Sequence, residues 1–268
     1  MSRFTHHRKI VLLYYILLLI IYPAFSQYSN TLENINRNIT KEYYRQLSFS
    51  HPASAAFLDN HFLRFSFQNK FLLKELMNKE VGGGILFNSN ALLFYFAHFG
   101  YNKFGNSRFS MGYSKAFAQK IALGLQFHYL FEHAHQYAAR HSLTFDFSLF
   151  AKVTDDFSIG LLAYNPAKLK YGFTEKATIP MLLDLHFFYK LNEKCLIKGN
   201  IEKSLPGNFN LSLGMDWLLR HFIFSGNVSL TYLDFSIKSY FYSFCLDINT
   251  QYHYQLGFSP TLSLYYIF

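Results

Sequence analysis

Histidines and an acid crowd together between residues 128 and 141. Glu132, His133, His135 and His141 lie close along the chain, with His128 just before them. Side chains two apart on an extended strand share a side, so His133 and His135 could bind a transition metal together if a third ligand folded over them. The spacing matches no established ligand framework. A polar loop tip with surface histidines is the simpler interpretation, and we predict no metal and no cofactor.

Serine, histidine and aspartate also occur together on one predicted strand. Ser142, Ser148, His141 and Asp146 offer the residue types of a nucleophile, a base and an orienting acid. Serine here alternates with apolar residues, which is typical of side chains that fill the interior of a barrel. We therefore predict that the protein is not an enzyme, with a lipid-acting enzyme of the outer membrane as an alternative.

Ionisable residues predicted to face a lumen are the stronger functional candidates. Charges of both signs inside a barrel can pair with one another, block the lumen or set its solute selectivity. Large residues expected on the same face, such as Phe188 and Phe241, favour a narrow or filled lumen over a wide aqueous porin. The lumen-facing candidates are Arg64, His128, Asp146, Asp184, His186, Lys198, Glu202 and Asp216.

The element that would position these residues is a strand with one apolar and one polar face. In 208–217, Phe209, Leu211, Leu213, Met215 and Trp217 alternate with small or polar residues. Because successive side chains of a strand point to opposite faces, such a run has one face for lipid and one for a polar interior. Similar runs continue from about residue 61 to the C-terminus.

Thirteen runs can be separated by short breaks. Bacterial barrels normally close with an even number of strands, so one run is miscounted or 70–77 is a missed strand. We predict an all-β fold, an antiparallel up-and-down transmembrane barrel of about 14 strands, with 12 as the alternative. The runs are 61–69, 82–88, 91–100, 107–117, 120–132, 140–152, 156–165, 179–190, 194–204, 208–218, 221–230, 236–248 and 254–268.

Composition excludes several other classes of protein. Of 268 residues, 51% are hydrophobic and only 15% charged, which excludes disorder. After residue 26 the sequence has no apolar run long enough for a membrane-spanning helix, which excludes a helical membrane bundle. A soluble β-sandwich, the remaining alternative, would have shorter strands and many charges on its outer face. The formal net charge of +9 is spread without long basic runs, so we predict no nucleic-acid partner.

The two ends of the chain indicate export. Residues 1–26 combine a basic start, an apolar stretch and small residues at Ala24 and Ser26, as in a signal peptide cleaved before Gln27. Residues 27–60 then form a periplasmic or lumenal segment, with a short helix near 39–46, and 61–268 form the barrel. Cys195 and Cys245 lie in strand-like runs and are expected to be free thiols. Gly82-Gly83-Gly84 predicts a bend or bulge at a strand start.

The last strand resembles the C-terminal signal that the barrel-assembly machinery reads in bacterial outer-membrane proteins. Leu264, Tyr266 and the terminal Phe268 share one face of an amphipathic run. Together with the signal peptide, this resemblance implies an outer-membrane location, with membrane lipid and the assembly machinery as partners.

A second resemblance lies ahead of the first strand. Ser50-His51-Pro52-Ala53 is similar to the Asn-Pro-Ala motif that opens the barrel in the FadL-like family and in the PorV and PorQ proteins of Bacteroidota, with His51 in place of Asn. Tyr164-Asn165-Pro166-Ala167 and Leu256-Gly257-Phe258-Ser259 are further similar features.

The resemblance implies a 14-stranded barrel in which His51, Pro52 and Ala53 belong to a partial plug spanning 50–58. It implies transport or retention of a hydrophobic small molecule, or, as the alternative, a scaffold or anchor role in a type IX secretion or surface-attachment complex with secretion-system proteins as partners.

Overall fold

The protein is a closed antiparallel β-barrel of fourteen strands, as the sequence predicts. The computed structural model describes residues 38–137, 139–169, 179–207 and 209–268. Each strand pairs with its neighbours in sequence, and β14 pairs with β1 to close the barrel. The strands are β1 Phe62–Asn69, β2 Met77–Phe87, β3 Asn90–Tyr101, β4 Phe104–Phe117, β5 Ile121–Ala134, β6 Arg140–Lys152, β7 Phe157–Tyr164, β8 Met181–Asn192, β9 Cys195–Leu205, β10 Phe209–Leu219, β11 Phe222–Ser229, β12 Tyr232–Phe241, β13 Phe244–His253 and β14 Gly257–Ile267.

Within residues 38–61, two short helices precede the barrel. Helix α1 spans Ile39–Leu47, and the side chain of Asn38 accepts hydrogen bonds from the backbone N–H groups of Thr40 and Lys41 at its N-terminus. A 3-10 helix, Pro52–Phe57, follows and begins with proline, whose missing N–H costs nothing in a first turn. Among the described residues, no helix combines the length and apolar composition needed to cross a bilayer.

The strands present an apolar outer face and a predominantly polar inner face. Phe127, Leu143 and Phe235 stand on the outer face and are 59%, 68% and 62% exposed. Their sequence neighbours point inward and are mostly buried, as the alternation of exposed and buried residues over 121–130 of β5 shows. The outer face is thus a continuous apolar surface, which agrees with the predicted division of the two faces.

The connections differ between the two ends of the barrel. At the end where β1 begins and β14 ends, here named the terminal end, tight turns such as Asn88–Ser89 and Arg220–His221 join the strands. At the opposite end, here named the far end, the connections include 70–76 and the long stretch 165–180, of which 170–178 lies outside the described residues.

The strand list contains one wrong element. The predicted run 236–248 covers parts of both β12 and β13, which are joined by the turn Tyr242–Ser243. Tyr242 has a φ of 50° in this turn. The turn lacks glycine, asparagine and aspartate, the residues that usually mark a positive φ, and it has no proline, so no residue type indicates it in the sequence. The run 70–77 is not the missing strand, because 3-10 turns occupy Lys70–Leu72 and Lys74–Leu76.

The predicted bend at the three glycines is also wrong. Gly82, Gly83 and Gly84 lie inside β2, which begins at Met77 and pairs with both neighbours without a register shift. A Cβ on Gly82 would lie 2.6 Å from the ring of Phe49, and one on Gly84 would lie 2.5 Å from the ring of Phe62. These glycines therefore leave space for inward aromatic side chains.

From Asn38 onward the chain forms one compact unit. The predicted signal peptide, its cleavage site before Gln27 and most of the lead-in segment lie outside the described residues. The predicted helix near 39–46 corresponds to α1. Cys195 on β9 and Cys245 on β13 are free thiols on strands that are not adjacent.

Candidate functional site: a helical segment inside the barrel

The inner wall at the terminal end is apolar, in contrast to the rest of the lumen. On most strands the inward residue nearest this end is aliphatic or aromatic and buried, whereas serine, asparagine and charged residues follow toward the far end. We name these side chains the apolar ring. Its members are Phe62, Leu86, Ala91, Leu93, Ala116, Ala122, Phe150, Phe188, Leu196, Ile223, Tyr240, Cys245 and Tyr265.

Residues 39–58, here named the plug, fill the apolar ring, so the plug contains α1 in addition to the segment 50–58 that the sequence predicts. The ring of Tyr44 packs edge-on against Phe150 and Phe188, with centroids 5.4 and 5.5 Å apart, and Tyr43 contacts Phe188 at 5.1 Å. On the opposite side Phe49 packs against Phe62 at 5.7 Å. The plug therefore binds the wall through aromatic contacts, and the edge-to-face geometry of the contacts that Tyr43 and Tyr44 make is favourable beyond simple burial.

The 3-10 helix lies close against β4, β5 and β6. The backbone N–H of Ala53 donates to the Ser148 hydroxyl over 2.9 Å. A Cβ on Gly124 would lie only 2.4 Å from that same Ala53 nitrogen. His51, Pro52 and Ala53, the plug residues named from the sequence, are all fully buried here. Small wall residues thus allow the plug backbone to approach the sheet directly.

Cations on the wall surround the plug. Lys238 donates to the side-chain carbonyl of Gln46 over 2.8 Å, and the Lys152 ammonium lies 4.2 Å from the ring centroid of Phe57. Lys41, a residue of the plug itself, forms an ion pair with Asp59. Burial raises the pKa of the Tyr44 phenol to about 12, so Tyr44 remains a neutral packing group at physiological pH.

One residue of the plug meets two predicted lumen residues. His51 Nε2 lies 3.2 Å from Asp184 Oδ2, and His186 Nε2 lies 3.1 Å from the same oxygen. The two imidazole rings meet edge-on at 4.4 Å, and Asn200 donates to the other oxygen of Asp184. Burial lowers the pKa of His51 and so favours the neutral imidazole, although the hydrogen bond and the charge of Asp184 act in the opposite direction.

The other predicted lumen residues face inward and most of them form pairs on the wall. Lys198 Nζ lies 2.6 Å from Asp216 Oδ1, and Arg64 lies 3.5 Å from Glu80. Glu202 stands directly opposite Asp184 in the β8–β9 register. Phe188 faces inward as expected, but Phe241 belongs to the outer face, because the inward residues of β12 are the even-numbered ones. Pairing, one of the roles that the sequence leaves open for these charges, is thus observed, and a role of these residues in transport stays a prediction.

A serine, a histidine and an acid do meet in the lumen, and Asp146 is the one member that the sequence also offered for such a group. Ser110 Oγ lies 2.7 Å from His128 Nδ1, and His128 Nε2 lies 2.8 Å from Asp146. Their strands β4, β5 and β6 are neighbours, and Ser110 is the register partner of His128. Sequence spacing within one strand could not indicate this cross-strand contact.

His141 points away from that group. A hydrogen bond of 2.6 Å joins His141 Nδ1 to the Tyr129 hydroxyl on the outer face. Ser142 and Ser148, in contrast, face inward. His133, from the histidine-rich stretch at the far end, packs on Phe131 with ring centroids 6.0 Å apart. The serines and the histidine considered for the alternative of a lipid-acting enzyme are therefore split between two faces of β6.

The outer face carries a large apolar groove beside the three glycines. Its volume is about 670 Å³, and Gly83 contributes no side chain to fill it. Leu63, Phe94, Met111 and Phe127 are among the residues that line it. The C-terminal residues Leu264, Tyr266 and Phe268 also stand on the outer face, and the backbone N–H of Phe268 donates to the carbonyl of His61 over 3.0 Å.

The fold is similar to that of several solved outer-membrane channels. A deletion mutant of the monoaromatic hydrocarbon channel TodX superposes with a TM-score of 0.65 at 10% identity, covering 82% of this chain and 93% of that one. The monoaromatic hydrocarbon channel CymD gives a TM-score of 0.64 at 10% identity, covering 83% of this chain and 92% of that chain. The Pseudomonas putida toluene transporter TodX gives 0.59 at 9% identity, covering 82% and 91%.

No family model and no curated protein matches the sequence. The similarity therefore defines the fold: a closed fourteen-stranded antiparallel barrel with a small helical N-terminal segment, an architecture shared with these outer-membrane channels.

Proposed function

We propose that the protein is a non-enzymatic outer-membrane barrel that passes or holds a hydrophobic small molecule. The observation that carries this proposal is the plug packed inside the apolar ring. If the plug moves, Phe150, Phe188 and Leu196 become the wall of an apolar passage. Such a surface binds an uncharged hydrophobic molecule favourably and offers little to ions.

Two further features support the location and the substrate class. The apolar outer face, with Phe127 and Leu143 among its exposed residues, suits contact with acyl chains. The fold neighbours are monoaromatic hydrocarbon channels by description. The signal peptide, the outer-membrane address and an assembly role for Leu264, Tyr266 and Phe268 belong to this proposal. The proposal also includes membership of the FadL-like family, as a protein of PorV or PorQ type in Bacteroidota.

Uptake into proteoliposomes tests the proposal. Toluene is the probe, and saturable uptake above that of empty liposomes is the expected result. The matched variant is Ala53→Trp, because Ala53 is a fully buried residue of the plug whose backbone lies against Gly124 of β5, and a large side chain there must displace the plug. We expect faster uptake by that variant. Uptake equal to that of empty liposomes, or large stable ion currents across a planar bilayer, would contradict the proposal.

The close packing of the plug favours one alternative function. Ala53 and Ala55 are both fully buried, as in the core of a permanently closed protein. A barrel that never opens would serve as a scaffold or anchor, with its far-end loops binding secretion-system proteins. Crosslinking in cells, together with the uptake assay, discriminates the two functions. A scaffold yields a discrete crosslinked protein partner, and neither the wild type nor Ala53→Trp takes up toluene.

A further inference from the structure

The plug and the wall together present a set of metal ligands. His51 extends from the start of the 3-10 helix, while Asp184 and His186 stand two residues apart on β8 and so share the inner face. One ligand atom from each of the three residues lies within 4.8 Å of the other two. Two chain segments that are distant in sequence thus converge on one point.

The distances suit a transition metal. Each imidazole Nε2 lies 3.1 or 3.2 Å from Asp184 Oδ2. In a tetrahedral zinc site with bonds of about 2.0–2.1 Å, neighbouring ligand atoms lie about 3.3–3.4 Å apart. The carboxylate is thus already at such a distance from both imidazoles, and a bound ion would require the two imidazole ligand atoms, which lie within 4.8 Å of each other, to reach the same separation. Two imidazoles and one carboxylate are a ligand set that zinc accepts, with a fourth position left for water.

The surrounding groups would orient these ligands. The Tyr43 hydroxyl lies 3.3 Å from His186 Nδ1, on the side of the ring opposite the carboxylate, and Asn200 donates to Asp184 Oδ1. Such contacts fix the ring and the carboxylate in known metal sites. His186 Nε2 also lies 3.1 Å from an acceptor on Asp184 and 2.9 Å from a donor on Asn200. A neutral ring nitrogen cannot serve both, and a metal bound there would take its lone pair, so that the Asn200 amide would be left with Asp184 Oδ1 as its acceptor.

Charge and space around the cluster also suit a cation. Glu202 stands opposite Asp184, and the neighbouring Lys198 is already paired with Asp216 at 2.6 Å. A small cavity of about 120 Å³ adjoins His186 and is lined in part by Tyr43, Lys198 and Asn200. This cavity has room for a water ligand at the open position.

We propose that His51, Asp184 and His186 bind one divalent transition metal of the zinc class, which fastens the plug to the barrel wall. Because His51 belongs to the plug and the other two ligands to the wall, metal binding stabilises the closed arrangement by mass action. The site exists whether or not the barrel passes a hydrophobic molecule, so it is independent of the proposed function.

Metal content of the untagged protein in detergent provides the first test. The protein is stripped with chelator, incubated with zinc, desalted and analysed by mass spectrometry. We expect about one zinc per chain for the wild type and a loss of at least about tenfold in occupancy for His51→Asn and for His186→Gln, because structural zinc affinity depends on every ligand. His51→Asn keeps a hydrogen-bond donor toward Asp184 and places there the residue of the similar Asn-Pro-Ala motif.

The double variant His133→Gln/His135→Gln is the matched control, because it removes two imidazoles from the far end and leaves the cluster intact. It is expected to bind zinc as the wild type does. Zinc bound equally by His51→Asn and wild type, or lost only in the control, would overturn the proposal.

A second measurement keeps the proposal testable if one variant fails to fold. Cobalt replaces zinc in the wild-type barrel, and its visible spectrum reports the coordination geometry. Intense absorption typical of four-coordinate nitrogen and oxygen ligation is expected. The weak spectrum of hexaaqua cobalt at saturating metal would contradict the site. Protection of the plug from trypsin should also increase with zinc in the wild type, and no increase would contradict its role as a fastener.

Discussion

The two parts of the inner wall differ in the contacts that stabilise them. At the terminal end the wall is an apolar ring, and α1 and the 3-10 helix fill it with aromatic and small side chains. Toward the far end the wall is polar, and charged residues such as Lys198 and Asp216 satisfy one another. The apolar ring is therefore stabilised by another segment of the chain, whereas the polar wall is stabilised across neighbouring strands.

This difference shows why the plug has its position. A barrel interior lined by serine and ion pairs is satisfied by water and by its own cross-strand contacts. An apolar ring exposed to water costs free energy in proportion to its area, so a segment that covers it is favoured there. The ring thus acts as the binding site for the plug and, in the proposed function, for a hydrophobic molecule that takes the place of the plug.

Replacing Phe188 by alanine is expected to have the largest effect. Phe188 is buried and its ring contacts both Tyr43 and Tyr44. Removing a buried aromatic ring leaves a cavity and lowers the free energy of unfolding by about 3–5 kcal/mol. Urea unfolding followed by the fluorescence of Trp217 measures the change. The control is Phe187→Ala on the outer face, and an equal loss in both variants would show that the ring is no more tightly packed than the outer surface.

Breaking an ion pair of the polar wall is expected to cost slightly less. Asp216→Asn leaves the Lys198 ammonium without its carboxylate in a nearly dry position, and this lowers the free energy of unfolding by about 3 kcal/mol. The double variant Lys198→Met/Asp216→Leu removes both charges and should recover most of the loss. If Asp216→Asn has no effect on urea unfolding, the wall is hydrated and its charges line water.

The position of the plug is tested by filling the space at Gly124. A Cβ there would meet the backbone nitrogen of Ala53 at 2.4 Å, so Gly124→Val overpacks the contact and costs about 1–3 kcal/mol. Trypsin cleavage after Arg45, a buried residue of α1, should become about tenfold faster, since about 1.4 kcal/mol corresponds to one factor of ten. Gly226→Val is the control, because a Cβ there has no neighbour within 4 Å. Equal cleavage rates in both variants would show that the contact between Gly124 and Ala53 does not control the opening of α1.

Much of the barrel is predictable from the sequence because its signal is local. The two-residue period in 208–217 and 142–149 fixes which side chains face inward, and all eight ionisable candidates do. The turn at Tyr242–Ser243 escapes prediction because its residues are ordinary strand formers. The encounter of His51 with Asp184 depends on where a separate segment docks, and the contact of Ser110 with His128 depends on cross-strand register, so neither has a signal along the chain.

The smallest expected effect concerns the Ser110 hydroxyl. Its hydrogen bond to His128 is buried, and Ser110→Ala should lower the free energy of unfolding by about 1 kcal/mol. Ser114→Ala is the matched control: Ser114 is a buried serine on the same strand and face, and its hydroxyl has no hydrogen-bond partner among the described residues. It should be neutral or slightly stabilising. If the Ser110 hydroxyl is only structural, its removal changes stability alone. Hydrolysis of a short-chain nitrophenyl ester is the contrasting measurement. Hydrolysis that is lost in Ser110→Ala but kept in Ser114→Ala would show that Ser110, His128 and Asp146 react with substrate and that the polar wall is catalytic.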